Sequence, residues 1–400
     1  MASTLTTMSH AASEELAVAE MVQQLESRSG GGIVRGAIFY CTVHHDTTRL
    51  QAALKAKLPG IPFIGTTSYQ GVGASPAEFA TGRSLVGFWL LGDGFRFGVA
   101  AADKGTRDPT AIGKDLASQA LASGGFSASD ARFAVIHPTP GDEEALLAGV
   151  YQTLNKQTPI IGGSAADDDL SGRWSSFTHD QVTRNGVVLA LCNWPWRLAI
   201  NYQAGYLAEG KRGRVTRAKG RVLYTIDGRP AADVYNEWTG GKISAFLEKG
   251  GNVLAQTTMN PFGVPHGVGV LEAFVLVHPE SVLVPERALR LFADVSEGQE
   301  VALMASRPEA LVQRGANVAR TALMRSKLPA DQTVGGLMVY CAGCVGAIRD
   351  RMPQMLEEFR GVVGNIPYVS VFTFGEQGCV LPGHVDHGNL MACVLLLAAS

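Results

Sequence analysis

The chain has 400 residues, of which 46% are apolar and 18% charged, and its formal net charge is −2. This length exceeds an ordinary single core, so we expect about two or three domains. A charge so close to neutral leaves no overall basic surface for nucleic acid or an anionic membrane. The longest apolar stretches, such as the one that starts at Leu390, fall well short of the ~20 residues that span a bilayer. We therefore expect no nucleic-acid partner and no membrane insertion.

The N-terminal region carries no secretory signal, because residues 1–26 contain no Lys or Arg and Glu14 and Glu15 interrupt any apolar run. Ser13 is instead the expected cap of a helix over 13–25 that docks on a domain. Six cysteines are too sparse for the disulfide framework of a secreted chain. These features predict a cytoplasmic protein.

One pattern recurs three times: an apolar strand, a helix, a strand led by proline, and a closing apolar strand. The first strands are predicted at 36–42, 131–139 and 336–343. The helices are predicted at 46–58, 142–154 and 347–359. The proline-led strands are predicted at 61–68, 158–165 and 366–378, and the closing strands at 84–91, 186–192 and 390–397. Near-continuous apolar runs are typical of strands buried on both faces, and proline is tolerated at a strand start. The pattern predicts an α/β fold (mixed α+β) of two docked domains, with repeated strand–helix–strand units around mixed sheets.

The segment between the second and third copies has a different texture. Residues 221–238 are predicted to form a strand, a turn and a helix that starts near Pro230. Further strands are predicted at 271–279, 288–295 and 297–305, the last two joined as a hairpin, and a helix at 307–325. The Gly- and Pro-rich loop 257–269 is expected to line a cavity. The basic stretch 205–220 is expected to be a solvated linker or strand edge that marks the domain boundary.

The loops after the three proline-led strands form the predicted ligand site. They end in glycine and small or polar residues, and open α/β sheets bind ligands beyond the carboxyl ends of their strands. Glycine lets backbone N–H groups approach a ligand closely. The expected contacts are Gly65, Thr66, Thr67, Gly162, Ser164, Gly375 and Glu376. If the ligand is an amino acid, Glu376 is expected to accept its ammonium group, with loop N–H groups holding the carboxylate.

The order of these motifs resembles the paired FIST domains, an N-terminal half followed by its C-terminal companion. In the first half the likeness rests on IPFIGTTS (61–68), PIIGGS (159–164) and RNGVVLALC (184–192). In the second half it rests on YTIDGRPA (224–231), SEGQEVALM (296–304), FTFGEQG (372–378) and HGNLMACVLLL (387–397). The resemblance implies an N-terminal helix over 1–30, a FIST N-like domain over 31–210 and a FIST C-like domain over 211–400.

The resemblance also implies a function. The family is an intracellular sensory module that binds small ligands such as amino acids, and some members resemble haem proteins that sense nitric oxide. Because FIST-like motifs take up the whole sequence, we expect a stand-alone sensor, not an enzyme. Its partner would be a separate protein such as a histidine kinase or a cyclic-di-GMP enzyme. The family likeness adds His387 and Asn389 to the expected ligand contacts.

A pair of cysteines offers an alternative function. Cys341 and Cys344 form a C-x-x-C sequence where a strand gives way to a helix, and the start of a helix favours the thiolate. A thiol-based redox protein is therefore the alternative, and two small residues packed under a turn are the structural interpretation. With His384 and His387 the pair formally supplies four zinc ligands, but we predict no metal site.

The sequence contains no complete haem or enzyme motif. Periodicity selects none of the nine histidines as an axial ligand, although His44, His45 and His266 lie in or beside predicted loops, so haem stays open as a cofactor. The segment GGSAA that starts at Gly162 lacks the last glycine of a nucleophile elbow. No phosphate-binding or dinucleotide fingerprint is complete, and Asp167–Asp169 is expected to be a solvated turn. These failures support the prediction that the chain is not an enzyme.

Overall fold

The computed structural model describes residues 2–267, 273–381 and 383–399. The fold is mixed α/β, and most of it consists of three copies of one unit. The first copy contains β1 (Ser3–Ser9), α1 (Glu14–Arg28), β2 (Val34–Thr42), α2 (Thr47–Lys57), β3 (Phe63–Ser68), β4 (Val72–Ala74), β5 (Glu78–Ala80) and β6 (Leu85–Leu91). The second contains β7 (Phe97–Asp103), α3 (Pro109–Gly124), β8 (Phe133–Pro138), α4 (Glu143–Thr153), β9 (Ile160–Gly163), β10 (Ser176–Thr178), β11 (Val182–Thr183) and β12 (Gly186–Cys192).

The third copy is interrupted by a long insertion after its edge strand, β13 (Leu198–Gln203). The insertion contains β14 (Leu207–Lys219), β15 (Val222–Ile226), β16 (Arg229–Pro230), α5 (Ala231–Trp238), β17 (Gly251–Asn252), α6 (Leu254–Thr257), β18 (Phe262–His266), β19 (Ala273–Val277), β20 (Pro279–Leu283), β21 (Ala288–Leu291) and β22 (Glu300–Ala305). The copy resumes with α7 (Pro308–Ser326), β23 (Thr333–Cys341), α8 (Ala342–Ile348), α9 (Met352–Val363), β24 (Tyr368–Thr373), β25 (Glu376–Gly378), β26 (Asp386–Gly388) and β27 (Ala392–Ala398). Short 3₁₀ turns lie at Ala128–Asp130, Ser244–Phe246, Ala330–Gln332 and Arg349–Arg351.

The three copies build their sheets in the same order. In each, the edge strand pairs antiparallel with the closing strand, which pairs antiparallel with the first strand of the strand–helix–strand unit. The two strands of that unit, β2–β3, β8–β9 and β23–β24, run parallel. Parallel neighbours need a crossover, which the helices between them supply.

The copies exchange their hairpins in a circle. The hairpin β10–β11 of the second copy pairs with β3 of the first, β25–β26 of the third pairs with β9 of the second, and β4–β5 of the first pairs with β24 of the third. Each six-stranded sheet therefore contains strands of two copies. The exchange ties the two ends of the chain into one body and brings the three turns that precede the hairpins together.

Helices cover the outer face of each sheet, and the inner faces share a central core. In β2, Phe39 packs in the cluster that contains α1 and α2 residues, whereas Ile38 and Tyr40 belong to the central cluster. In β8, Ile136 packs beneath α3 and α4, and Val135 joins the same central cluster. Strands buried on both faces need apolar side chains throughout, which confirms the interpretation of the apolar runs.

Local sequence explains where the helices begin. Ser13 accepts a hydrogen bond from the backbone N–H of Leu16, as predicted for the start of α1. Asp46 caps α2 in the same way, and Asp108 caps α3 ahead of Pro109. The predicted helix at 347–359 is two helices, α8 and α9, separated by the 3₁₀ turn.

The insertion forms a sheet with its own small apolar core. The predicted hairpin of 288–295 with 297–305 is wrong, because β21 pairs with β15 and β20 whereas β22 pairs with β14 and β18. The basic stretch 205–220 contains β14, which pairs on both sides and keeps its charged side chains exposed. Residues 268–269 of the predicted loop 257–269 and residues 271–272 of the predicted strand 271–279 lie outside the described residues.

Candidate functional site

The three loops that follow the proline-led strands meet through backbone hydrogen bonds, as their shared position predicted. The N–H of Tyr69 donates to the carbonyl of Phe372 at 2.9 Å, which joins the first and third loops. The N–H of Ala166 donates to Thr67 at 3.1 Å, and the N–H of Ser164 donates to Gly375 at 2.9 Å. Each loop therefore contacts both of the others.

Most of the predicted contact residues lie inside the sheets at this junction and bind to protein atoms. Thr66 Oγ1 lies 3.0 Å from Ser176 Oγ, and Thr67 Oγ1 accepts from the N–H of Ser175 at 3.1 Å. Gly65 packs beneath the Phe177 ring, where a Cβ would approach ring carbons to 2.2 Å. Gly162 has the same constraint, against the carbonyl oxygen of Ile136 at 2.1 Å. These glycines allow close packing of strands, and their ligand contact stays a prediction.

Ser164, Gly375 and His387 come together in a buried polar cluster. The Ser164 hydroxyl donates to Glu143 at 2.8 Å, and the Gln377 amide donates to Ser164 at 3.1 Å and to Nδ1 of His387 at 3.1 Å. A Cβ on Gly375 would lie 2.4 Å from the His387 ring, so only glycine fits there. Burial raises the pKa of Glu143, but His387, Arg221 and Lys104 outweigh burial and lower it to about 2. This cluster joins the loops and holds a charged carboxylate.

Glu376 is fully buried, and both carboxyl oxygens have protein partners. Oε1 accepts from the Thr373 hydroxyl at 2.9 Å, and Oε2 accepts from the N–H of Met391 at 2.9 Å. Burial raises the pKa of Glu376 to about 8, although these two hydrogen bonds oppose the rise. Glu376 does not line the cavity described next, and the ammonium contact predicted for it stays a prediction.

A cavity of about 560 Å³ opens between the loop junction, α8 and the insertion. Its apolar wall includes Leu254, Ala255, Met259, Phe292, Ala347 and Phe374. Its polar wall includes Tyr69, Asp168, Asp169, Thr258, His278 and Asn389. Cavities of this size, mostly apolar with a few polar groups, are the usual form of small-molecule sites. Of the predicted ligand contacts, Gly375 and Asn389 lie on this wall, together with Cys341, which was predicted as a possible redox residue.

The charge of the cavity wall is negative. Among the wall residues in the described part of the chain, the charged side chains are Asp168 and Asp169, and none is Lys or Arg. Asp168 accepts a hydrogen bond from the N–H of Gln70 at 2.7 Å, which holds the carboxylate against the first loop. Burial lowers the pKa of His278 to about 3, so this wall histidine is neutral at physiological pH.

Aromatic rings and two small residues shape the rest of the cavity. The Phe374 ring centroid lies 6.0 Å from the ring of Tyr69 and 6.0 Å from that of Trp174. Gly343 and Gly346 of α8 also line the wall. A Cβ added to Gly346 would meet only the Tyr69 hydroxyl within 4 Å, at 3.6 Å. The wall here is open because this helix position has no side chain.

The C-x-x-C pair lies between this wall and the core, at the predicted junction of β23 and α8. Cys341 lines the cavity and is 5% exposed, whereas Cys344 is fully buried. Burial raises the pKa of Cys344, but a hydrogen bond from Cys341 and the charge of Arg314 outweigh burial and lower it. The same hydrogen bond, together with burial, raises the pKa of Cys341. The pair therefore shares one proton near neutral pH.

Family models match nearly the whole chain. The FIST N domain matches residues 36–229 and the FIST C domain matches residues 231–379. The chain belongs to the FIST family. FIST domains are associated with sensory signal transduction. The predicted division at residues 210 and 211 stays a prediction; β13, which precedes it, pairs with β27 of the C-terminal part.

Other similarities are weaker. An uncharacterized protein of Methanocaldococcus jannaschii is 34% identical over 79 residues, which cover 20% of this chain and 15% of that protein. The chain thus spans a small part of the length of this curated relative. Among solved structures, the cyanuric acid hydrolase from A. caulinodans aligns over 100% of both chains at 9% identity and a TM-score of 0.41. A second cyanuric acid hydrolase structure aligns over 100% of both chains at 10% identity and a TM-score of 0.37.

The described cavity wall presents no histidine placed as a free axial ligand for a haem. His44, His45 and His266 are not part of the cavity wall, and Nε2 of the wall histidine His278 lies 2.9 Å from the Thr257 hydroxyl. Burial raises the pKa of Tyr69, which keeps this phenol a weak iron ligand. In the described ranges, no group of three or more His, Cys, Asp or Glu is placed to hold a metal ion. No helix there is long and apolar enough to cross a membrane.

Sequence reasoning missed several wall residues of the FIST site. Asp168 belongs to a run that we interpreted as a solvated turn, but Asp167 is fully buried and caps the turn through the N–H groups of Leu170 and Arg173. His278 and Met259 come from the insertion. The Gly- and Pro-rich composition of 257–269 was the one signal, and Thr258 and Met259 of that loop line the cavity as expected.

Proposed function

We propose that this protein is a sensory receptor that binds a small organic cation with an apolar body, such as an amino-acid-like amine, in the 560 Å³ cavity. The observation that carries the proposal is the negative charge of the cavity wall. Among the wall residues that the structure describes, the charged side chains are those of Asp168 and Asp169. Asp169 already pairs with Arg173, so Asp168 is the carboxylate left for a ligand cation, and a hydrogen bond to a charged group is stronger than a neutral one.

The remaining wall supports the same class of ligand. Tyr69, Phe292 and Phe374 line the cavity, and aromatic rings attract cations through the ring quadrupole. Leu254 and Met259 supply apolar contacts for an alkyl or aryl body. Asn389 uses its Oδ1 to accept from the N–H of His278 at 3.1 Å, so its amide group is held in place on the wall.

A binding role without turnover also fits how the wall groups are used. Asp168 is hydrogen bonded to Gln70, and Asp169 forms an ion pair with Arg173 at 3.1 Å. Catalysis by a nucleophile and a base requires the two groups to be hydrogen bonded to each other. The wall groups just named are instead bonded to structural partners, which favours a receptor over an enzyme.

The cavity wall combines all three copies with the insertion, and this supports signal output. Tyr69 belongs to the first copy, Asp168 to the second, Phe374 to the third and Met259 to the insertion. A ligand that contacts all four parts stabilises one arrangement of them over others. Output then passes to a separate protein, for which the family likeness suggests a histidine kinase or a cyclic-di-GMP enzyme.

A matched pair of probes tests the ligand class. We expect 2-phenylethylamine to raise the melting temperature of the chain and to bind in calorimetry, whereas the neutral analogue 2-phenylethanol binds at least ten-fold more weakly. Loss of a charged hydrogen bond costs about 1.5–3 kcal/mol, which corresponds to about 10–150-fold in affinity. Equal affinity for the two probes would contradict the proposal.

A matched pair of variants tests the residue. Asp168→Asn keeps an oxygen acceptor for the N–H of Gln70 and removes the charge. Asp227→Asn is the control, because Asp227 also accepts a backbone N–H, from Arg214 at 3.0 Å, and lies outside the cavity wall. We expect the first variant to lose the preference for the amine and the control to keep it. Retention of the preference in Asp168→Asn would assign the cation to another group.

A further inference from the structure

A buried arginine lies next to the cysteine pair without a carboxylate partner. Arg314 in α7 is 1% exposed, and its Nη1 donates to the carbonyls of Ala204 and Leu390. In the described part of the chain, Nε and Nη2 have no hydrogen-bond partner and no carboxylate lies within 4 Å of the guanidinium. The guanidinium carbon, Cζ, of Arg314 lies 4.2 Å from the centre of the Tyr340 ring. A buried cation needs a compensating negative charge close by.

Cys344 supplies that charge. Its sulfur is fully buried and lies 3.7 Å from the Tyr206 hydroxyl, and the nearby guanidinium of Arg314 favours the thiolate. The other acidic group near Arg314 is Glu376, whose raised pKa of about 8 keeps its carboxyl neutral at physiological pH. Of these two groups, Cys344 is the one whose pKa is lowered, and Arg314 is one cause of that lowering.

The second sulfur of the pair faces the cavity. Cys341 is the last residue of β23 and Cys344 lies in the first turn of α8, so the two thiols sit at one strand–helix junction. Of the six cysteines, all free thiols, Cys341 is the one that lines the cavity. A molecule in the cavity thus meets a thiol that is backed by a thiolate and an arginine.

We propose that Cys341 and Cys344 are a redox-active dithiol that is oxidised to a disulfide by a hydroperoxide entering the cavity. This activity goes beyond the binding of an organic cation and does not depend on it. The arrangement has the three parts that a thiol oxidant sensor needs: a sulfur on the cavity wall, a resolving sulfur beside it and a cation that lowers the pKa of the pair.

The chemistry balances with the groups present. The shared proton moves to Cys344, and the Cys341 thiolate attacks one peroxide oxygen, so an S–O bond forms while the O–O bond breaks. The departing oxygen leaves as water or an alcohol after it takes up a proton from solvent. Cys344 then loses its proton and attacks the sulfenic sulfur of Cys341. The S–S bond forms, the S–O bond breaks, and hydroxide leaves with that proton as water. Two thiols are oxidised and one hydroperoxide is reduced.

Thiol counting tests the proposal on the full reduced chain. After equimolar hydrogen peroxide and denaturation, the six thiols should fall by two, and digestion should recover Cys341 and Cys344 in one internally bridged peptide. An unchanged thiol count, or a bridge elsewhere, would overturn the proposal.

Three cysteine variants separate the roles. In Cys344→Ser we expect a sulfenic acid at Cys341 that dimedone traps, and in Cys341→Ser we expect no rapid loss of thiols. Cys379→Ser is the control, because Cys379 is partly exposed but outside the cavity wall. It should lose two thiols as the wild type does; protection by this control substitution would assign the reaction to Cys379.

A pH profile tests the part assigned to Arg314. Because the two thiols titrate as a pair, the rate of iodoacetamide alkylation at Cys341 should follow the lower pKa of the pair and show a midpoint below that of an ordinary thiol, about 8.5. Arg314→Lys should retain a low midpoint because it keeps the charge. A wild-type midpoint at or above the ordinary value would overturn the role of the arginine, whether or not the variant folds. Binding of 2-phenylethylamine is measured separately, so failure of either proposal is distinguishable from failure of the other.

Discussion

Filling the cavity from one helix position gives the sharpest test of where the ligand binds. Gly346 lies in α8 on the cavity wall, and only the Tyr69 hydroxyl lies within 4 Å of an added Cβ. Gly346→Leu therefore introduces four side-chain carbons into space that a ligand would occupy. Gly361→Leu is the matched control, because Gly361 lies in α9 and nothing lies within 4 Å of its added Cβ.

The two substitutions should have the same effect on folding. Glycine in a helix costs about 0.8–1.0 kcal/mol relative to alanine, and leucine is a good helix former. Both variants should therefore gain about 0.5–1 kcal/mol of unfolding free energy. The added Cβ meets no backbone atom of another element within 4 Å at either position, so little strain is expected in either variant.

The effects on binding should differ. At a ligand concentration of about 100 times Kd, a bound ligand stabilises the wild type by about 2.7 kcal/mol. Gly361→Leu should keep this full increment. Gly346→Leu should lose most of it, because its side chain and the ligand compete for the same volume.

Differential scanning fluorimetry with 2-phenylethylamine measures both effects at once. The expected result is that Gly346→Leu melts above the wild type without ligand and shows almost no further rise with ligand. A ligand-induced rise equal in the two variants would refute the assignment of the cavity as the binding site. A melting temperature of Gly346→Leu below that of the wild type without ligand would refute the interpretation that the wall is open at this position.

Three further predictions concern stability. For Glu376, the folded-state pKa of about 8 lies above the unfolded value of 4.5, so its contribution is present below pH 4.5 and is lost as pH rises through 8; relative to Glu376→Gln, urea unfolding of the wild type should lose about 3 kcal/mol between pH 5 and 8. For His137, burial lowers the folded-state pKa to about 4 from 6.5, so stability is present above pH 6.5 and falls toward pH 4; His137→Asn should lose about 2 kcal/mol less than the wild type between pH 7 and 5. Truncation before Leu390 removes β27, which pairs with both β13 and β23, and should abolish soluble expression; a soluble truncated product would show that the strand is dispensable.

The repeat could be predicted from sequence because each copy carries local signals. Buried strands are apolar on both faces, each second strand follows a proline, and caps such as Ser13 and Asp46 mark helix starts. β1 escaped prediction, since its sequence STLTTMS has few strongly apolar residues and it is held mainly by pairing with β6. The exchange of hairpins also escaped, because pairing such as Val369 with Ala74 joins residues about 300 positions apart and leaves no local pattern.

The candidate site was predictable in position but not in composition. The meeting of the three loops follows from equivalent positions in a repeat, and the structure confirms it. The wall could not be predicted, because it depends on which side chains reach the junction from elsewhere. Asp168 is held at the cavity wall by the N–H of Gln70, which lies 98 residues away in the sequence. Glu376, the most conspicuous carboxylate of the loops, is instead buried against Thr373 and Met391.

The insertion makes one of three similar positions different. In the first two copies the edge strand leads directly into its helix, as β1 into α1 and β7 into α3, whereas the third copy places residues 207–305 between β13 and α7. Leu254, Met259 and His278 of that insertion close the cavity over α8 and Phe374. The repeat thus supplies a frame in which the three loops are held by backbone hydrogen bonds, and the insertion supplies side chains that line the cavity. Because frame glycines such as Gly65 and Gly162 tolerate no Cβ, changes of ligand preference are expected to come from substitutions in the insertion and in α8.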